Sequence, residues 1–253
     1  MKIRSLIAAT TLAIGALFGT SQVQAAPVDL ALSLVIDISG SVSLAEYNLQ
    51  MDGYANAFRD VGIQANMLGG TRGKTAVNVV FFATDFFSSS LDSFTVLSTA
   101  AEINAFANIL DLFVRISSGG TSIHTGTNRA IDLLLAATGV GGSLAGTDNM
   151  VIDVSGDGTG TAALDRAARD RATANNMTIN GLPIGGVGIN NYYLTNVITS
   201  DGFIAPASNF NDFAAAVRQK LFIETGGTVP EPGTILLVLA ALGAAAVARR
   251  RSA

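Results

Sequence analysis

The sequence predicts an α/β domain: a doubly wound, mostly parallel sheet with helices on both faces and one antiparallel edge strand. Three observations predict it. Short apolar runs alternate with amphipathic stretches of helical period through the whole domain. The runs at Leu30–Ile36, Ala76–Phe82 and Asn149–Val154 are short and β-branched, as buried parallel strands are. Two of them lead into tight turns rich in oxygen-bearing side chains, Asp37-Ile38-Ser39-Gly40-Ser41 and Ser155-Gly156-Asp157-Gly158. The carboxyl ends of strands are where open α/β sheets bind ligands.

Taken in order, Leu30 to Ile36 is the first strand, and Leu44 to Arg59 the first helix, with Leu44, Tyr47, Met51, Tyr54, Ala55 and Phe58 at mainly helical spacing. Gly62 to Gly73 is polar and glycine-rich and reads as a loop after a short helical end. Ala76 to Phe82 is a central strand, and Phe86 to Val96 returns beside it as an edge strand, with Thr84-Asp85 at the turn. Thr99 to Val114 is helical, with Ile103, Phe106, Ala107, Leu110 and Phe113 on one face. A polar loop, Ser117 to Ser122, precedes a helix over Ile123 to Thr138, and Gly139 to Gly146 is a glycine-rich connector. After the strand at Asn149 to Val154, Ala162 to Asn176 is helical and Thr178 to Val187 is a strand made irregular by Gly181 and Pro183. Asn191 to Ile198 and Phe210 to Glu224 are the last helices.

Both ends read as processing segments. Residues 1–25 have basic Lys2 and Arg4, an apolar run from Leu6 to Phe18 and a small-residue exit, the pattern of a signal peptide. Cleavage after Ala25 is favoured, since cutting after Ala26 would leave Pro27 first. Residues 26–226 form the domain and residues 227–253 a separate tail. Without both ends the charge falls to about −8, because five of the basic residues lie in them and only one acidic residue does. An acidic domain repels phosphate backbones, which argues against nucleic acid as a partner. The chain has no cysteine and a single histidine, His124, so thiolate sites, cysteine catalysis and multi-histidine zinc sites are excluded.

Three loops carry oxygen ligands: Asp37, Ser39 and Ser41; Thr121; and Asp157. In a doubly wound sheet they converge at one rim. Oxygens at i, i+2 and i+4 suit a hard divalent cation such as Mg²⁺, although the same letters also serve turns and helix caps. Two carboxylates and three hydroxyls leave such an ion under-neutralised, with an open position for an acidic group from a partner. Asp153, earlier in the same strand, reads as structural, because side-chain direction alternates along a strand.

This set resembles the von Willebrand factor type A domain with its metal-ion-dependent adhesion site. In that family a D-x-S-x-S after the first strand, a threonine in a later G-G-T loop and an aspartate after a central strand ligate the ion; the matching residues are Asp37, Ser39, Ser41, Thr121 and Asp157. The resemblance covers roughly Val28 to Thr225. One departure is Ser155-Gly156-Asp157-Gly158 where many members have T-D-G, so Asp157 acts directly or through water. The resemblance implies Mg²⁺, or Mn²⁺ or Ca²⁺, and a binding module that is not an enzyme, coordinating an acidic group of a protein or exopolysaccharide.

The tail gives a second resemblance. Val229-Pro230-Glu231-Pro232-Gly233-Thr234, an apolar run from Ile235 to Ala248 and Arg249-Arg250-Arg251 are similar to the PEP-CTERM sorting signal. The apolar run is shorter than the roughly 20 residues of a full span, and the arginines would stay cytoplasmic. The implied route is transient membrane association through the tail helix, processing by an exosortase, and the cell surface or extracellular matrix of a Gram-negative bacterium.

Two other readings are weaker. A subtilisin-like triad needs the chain order Asp, His, Ser, and His124 follows Ser122. A metal-dependent hydrolase needs a general base, for which only Asp85 and Asp148 lie at loop ends, and both suit turn roles. A third, a structural matrix component whose metal only stabilises the fold, differs from a binder only in whether a partner is captured. Arg166, Arg169 and Arg171 read as a solvated helix face.

Overall fold

A computed structural model describes residues 25–228. The expected signal peptide, Ala25 excepted, and the expected apolar tail helix lie outside the described residues. Among those described, no helix is long and apolar enough to cross a membrane.

The sheet runs β3-β2-β1-β5-β6, with β4 also pairing to β2. Its strands are β1 Leu30–Asp37, β2 Thr75–Phe82, β3 Phe86–Phe87, β4 Thr95–Leu97, β5 Met150–Gly156 and β6 Met177–Pro183. β1 lies between β2 and β5, parallel to both, with Asp37 opposite Phe82 and Ile36 opposite Ser155. β5 and β6 are also parallel, whereas β3 and β4 run antiparallel to β2. All eight residues of β1 and of β2 are buried, as strands covered on both faces must be.

The pleat divides the apolar side chains between two cores. Leu32, Leu34 and Ile36 join Tyr54 and Phe58 of α1 (Leu44–Phe58), Phe106 and Leu110 of α3 (Ala100–Asp111) and Phe213 and Val217 of α7 (Phe213–Glu224). Ala31 and Val35 face the other way, with Ile131 and Leu134 of α4 (Ile123–Thr138), Ala172 of α5 (Ala162–Ala174) and Tyr193. Each large apolar side chain fully withdrawn from water is worth roughly 2 kcal/mol.

The helix expected over Thr99 to Val114 stops at Asp111, and the strand expected over Thr178 to Val187 stops at Pro183 with Val187 already starting the next helix. Three further segments depart from the sequence expectation. The stretch expected as a loop from Gly62 contains a helix, α2 (Val61–Leu68), started by the Asp60 carboxylate, which accepts from the Gly62 and Ile63 N–H groups at 2.9 and 3.1 Å. A carboxylate at that position satisfies two otherwise orphaned donors, and this outweighs the glycine. The single edge strand expected over Phe86 to Val96 is two short pieces, β3 and β4; between them the Val79 N–H donates to the Leu91 carbonyl and Asn78 Nδ2 to the Asp92 carbonyl, each at 2.9 Å, so the intervening chain is held by single contacts rather than by a continuous ladder. The helix expected at Asn191 to Ile198 is α6 (Val187–Tyr192) running into a π turn over Tyr193–Val197.

Candidate metal centre

Asp37 is the last residue of β1, and the chain turns immediately after it. The Ser39 N–H donates to Asp37 Oδ1 at 2.7 Å, the Val42 N–H to the Ser39 carbonyl at 3.1 Å, and Gln50 Nε2 of α1 to the Asp37 carbonyl at 3.1 Å. α1 begins behind this turn in a reciprocal cap, Ser43 N–H to Glu46 and Glu46 N–H to Ser43 Oγ. The turn from Asp37 to Ser43 is therefore held by local hydrogen bonds before any ligand is considered.

From Asp37 a line of oxygens crosses the rim. The Ser39 and Ser41 hydroxyls lie 3.0 Å apart, and Ser41 Oγ donates to Asp157 Oδ1 at 2.7 Å. Asp157 stands directly after β5, the neighbour of β1, so the sheet order brings Ser41 and Asp157 together from 116 positions apart. Thr121 joins from the α4 side: a methyl group on Gly158 would sit 3.2 Å from Thr121 Oγ1. Its loop is tied down by three main-chain contacts, Gly40 N–H to the Gly119 carbonyl (2.7 Å), Gly120 N–H to Thr84 Oγ1 (2.7 Å) and Ser122 N–H to the Ala83 carbonyl (2.8 Å). Gly119 has φ +149°, and a Cβ there would run into Thr84 Oγ1 at 2.4 Å, so no other residue fits.

The electrostatics are unbalanced. Asp37 and Ser39 are fully buried. Among the described residues Asp37 Oδ2 has no hydrogen-bond partner. Burial pushes the Asp37 carboxyl up to about 6; the Ser39 hydroxyl and N–H hold it down, the Asp157 charge raises it and Arg115 lowers it. Among the described residues neither Asp37 nor Asp157 has a salt-bridge partner. Arg115, whose charge acts on Asp37, uses its guanidinium on the Ile38 and Ser39 carbonyls (2.6 Å each) and its Nε on the Ser117 carbonyl (2.9 Å). A buried, unpaired carboxylate oxygen beside a second carboxylate and hydroxyls is a donor set suited to a hard cation. No group of three or more His, Cys, Asp or Glu gathers anywhere among the described residues; the candidate set has two carboxylates and three hydroxyls.

Of the five residues picked out by spacing, Asp37, Ser39, Ser41 and Asp157 form one chain of contacts and Thr121 lies beside the residue after Asp157. Asp153 points elsewhere: it is fully buried and pairs with Lys220 Nζ of α7 at 2.6 Å. Asp85 accepts from the Phe86 N–H at 2.8 Å within its own turn. Asp148 precedes β5, at the opposite end of that strand from Asp157. His124 lies in the first turn of α4, where its main-chain N–H donates to Asp165 Oδ1 at 2.9 Å. The three arginines of α5 are likewise engaged, Arg166 with Asn196, Arg169 with Asp170 and the Thr195 carbonyl, Arg171 with Asn128 and Asp132. Sequence reasoning missed Arg115 and Asp165, which fasten the two loops; neither belongs to a spacing pattern, and only the folded chain brings them near.

Comparison with known proteins agrees with this architecture. Proximal thread matrix protein 1 from the mussel byssus, described with a zinc-occupied MIDAS motif, aligns with TM-score 0.55 at 14% identity over 79% of this chain and 47% of that one. The pilus adhesin SpaC from Lactobacillus rhamnosus GG aligns with TM-score 0.58 at 14% identity over 80% of this chain and 31% of that one. The vWF domain of the type V pili tip protein Mfa5 from Porphyromonas gingivalis aligns with TM-score 0.53 at 14% identity over 81% of this chain and 99% of that one. This chain thus spans less than half of the first two proteins. No curated protein matches the sequence. The fold is that of a von Willebrand factor type A domain, and a PEP-CTERM protein-sorting motif occupies residues 228–252. Over residues 27–229 the chain matches the family described as Protein of unknown function (DUF1194), and it belongs to that family.

Proposed function

We propose that this chain is an exported surface module that binds a divalent cation, Mg²⁺ or Mn²⁺, through Asp37, Ser39, Ser41, Thr121 and Asp157, and through it an acidic group of a partner. The observation that carries this reading is the Asp37 carboxylate, buried with Oδ2 unpartnered, next to a contiguous line of hydroxyl and carboxylate oxygens. When bound, the cation supplies positive charge and an open coordination position for a carboxylate oxygen. The chain's residues supply the rest. Asp37 provides charge from a dry site, Ser39 and Ser41 provide neutral oxygens, Asp157 closes the line directly or through water, and the pinned Gly119–Thr121 loop presents Thr121.

Residues 1–25 as a signal peptide, 26–226 as the domain and 227–253 as the sorting segment complete the proposal, with an exosortase acting on the tail at the cell envelope. The fold neighbours that are adhesins or matrix proteins favour binding over catalysis. Calorimetric titration of the chain with Mg²⁺ and Mn²⁺, followed by capture on alginate and on an acidic peptide, tests it. Saturable metal binding that Asp37→Ala abolishes, and capture reversed by chelator, are expected. Metal binding that survives Asp37→Ala overturns the site. Metal-dependent melting without capture of either probe favours the purely structural reading.

A further inference from the structure

The segment leading into the Thr121 loop has its own unexplained features. Between the end of α3 and Gly119 the chain belongs to no helix or strand. Its exposure nevertheless alternates: Leu112 (82% exposed), Val114 (77%) and Ile116 (43%) face water, while Phe113, Arg115 and Ser117 are half-buried. A period of two marks an extended chain. The inward residues fasten it. The Phe113 ring stacks on Phe81 at 5.3 Å, the Phe113 carbonyl accepts from Tyr47 OH at 2.9 Å, and Arg115 grips the Ile38 and Ser39 carbonyls. The main-chain donors, by contrast, are free: the Phe113, Ser117 and Ser118 carbonyls accept side-chain bonds, but among the described residues none of the N–H groups from Val114 to Ser118 donates to a protein acceptor.

A fixed, extended segment with unpaired backbone groups and outward apolar side chains is a template for another strand. We propose that Leu112 to Ser118 is the docking edge for an extended peptide of a partner protein, whose single acidic residue reaches the candidate metal centre. Unpaired amides choose polypeptide over polysaccharide, because only a peptide backbone answers a row of donors and acceptors at strand spacing. Apolar side chains on alternate positions ask for apolar side chains on alternate positions of the partner. Register supplies the link to the metal centre: the edge ends at Gly119, whose carbonyl is bonded to the Gly40 N–H between Ser39 and Ser41. The domain's net negative charge disfavours a strongly acidic partner, so the peptide carries one carboxylate rather than a cluster.

This inference rests on the proposed metal site for its acidic contact but not for its edge, and the experiment separates the two. Fluorescence anisotropy of the full chain in Mg²⁺ would use labelled peptides of about nine residues, alternating valine and threonine, with one aspartate at the amino or the carboxyl end. Versions N-methylated on alternate residues remove the backbone donors. One of the two peptides is expected to bind. Chelator, N-methylation in one register, and the triple variant L112K/V114K/I116K should each weaken it by about tenfold or more, the variant keeping its Mg²⁺ binding. Val114→Lys alone serves if the triple variant does not fold. Binding indifferent to N-methylation or to these variants overturns the edge. So does binding of alginate with no binding of either peptide, which leaves the metal reading intact. A chain that dimerises through this segment, and is monomeric in the triple variant, overturns the proposed occupant. Edge-dependent peptide binding in a chain that binds no Mg²⁺ upholds the edge and removes the metal reading.

Discussion

Asp37 is costly to the fold when no cation accompanies it. Its carboxylate is buried, lacks a partner on Oδ2 among the described residues, and is pushed by burial up to about 6 from the ordinary value of 3.8. At pH 7 it is ionised in a site that resists charge, at a cost on the order of 3 kcal/mol. Asp37→Asn keeps the Ser39 N–H contact and removes the charge. It should therefore raise the melting temperature of the metal-free protein while abolishing the gain on adding Mg²⁺; a loss of stability in the metal-free state would show that the charge is satisfied in some other way. Gly156 makes the complementary point about space. A Cβ there would lie 2.7 Å from Asp37 Oδ2 and 3.0 Å from Tyr193 OH. Gly156→Ala should cost about 1–3 kcal/mol and weaken metal binding, both measurable by denaturation and titration; an unchanged affinity would mean the carboxylate has room to spare. The Asp37, Ser39 and Ser41 spacing was legible in the sequence because a strand followed at once by D-x-S-x-S leaves few other places for three oxygens. Arg115 was not, since its role depends on carbonyls 76 and 77 residues away.

At the scale of elements, the helix α7 is joined to the sheet by a buried polar cluster. Lys220 Nζ meets Asp153 Oδ1 at 2.6 Å and Glu224 Oε1 at 2.5 Å, and Asn180 Nδ2 of β6 donates to Glu224 Oε1 at 2.8 Å. The Tyr54 hydroxyl lies nearby, bonded to Ser155. One ammonium faces two carboxyls, and burial raises both of them above the ordinary carboxylate range. Burial pushes Glu224 up to about 7, against the Lys220 charge and with the Asp153 charge adding to the rise. A carboxyl raised in the folded state binds more protons there than when unfolded, so its contribution to stability is lost as pH rises from about 4.5 through about 7. Glu224→Gln should flatten that slope in melting-temperature profiles; an unaltered slope would place the proton elsewhere. Lys220→Met strands both carboxyls and should cost about 3 kcal/mol, read by urea denaturation. Reading Asp153 as structural followed from strand alternation, and its partner was hidden because Lys220 sits in an apparently ordinary helix. The α2 helix was hidden for a similar reason: composition around Gly62 and Gly69 says loop, and only the Asp60 cap shows how the helix begins.

At the scale of the whole molecule, the fold was legible because its strands are short, buried and separated by well-marked helices, and β1 in the middle imposes the order of its neighbours. The divided antiparallel edge was less legible, since β3 and β4 are too short to leave a periodicity. The convergence of Asp37, Ser41 and Asp157 follows from that topology, and it gives the account its central claim: that the rim is a cation site. Crystals of the chain soaked in Mn²⁺ and measured for anomalous scattering test it most directly. The account predicts one strong peak within coordination distance, about 2.0–2.4 Å for a hard divalent ion, of Asp37 and the Ser39 and Ser41 hydroxyls, with Thr121 and Asp157 around it directly or through water. A rim with no peak, or a peak bound only by residues outside this set, would contradict it.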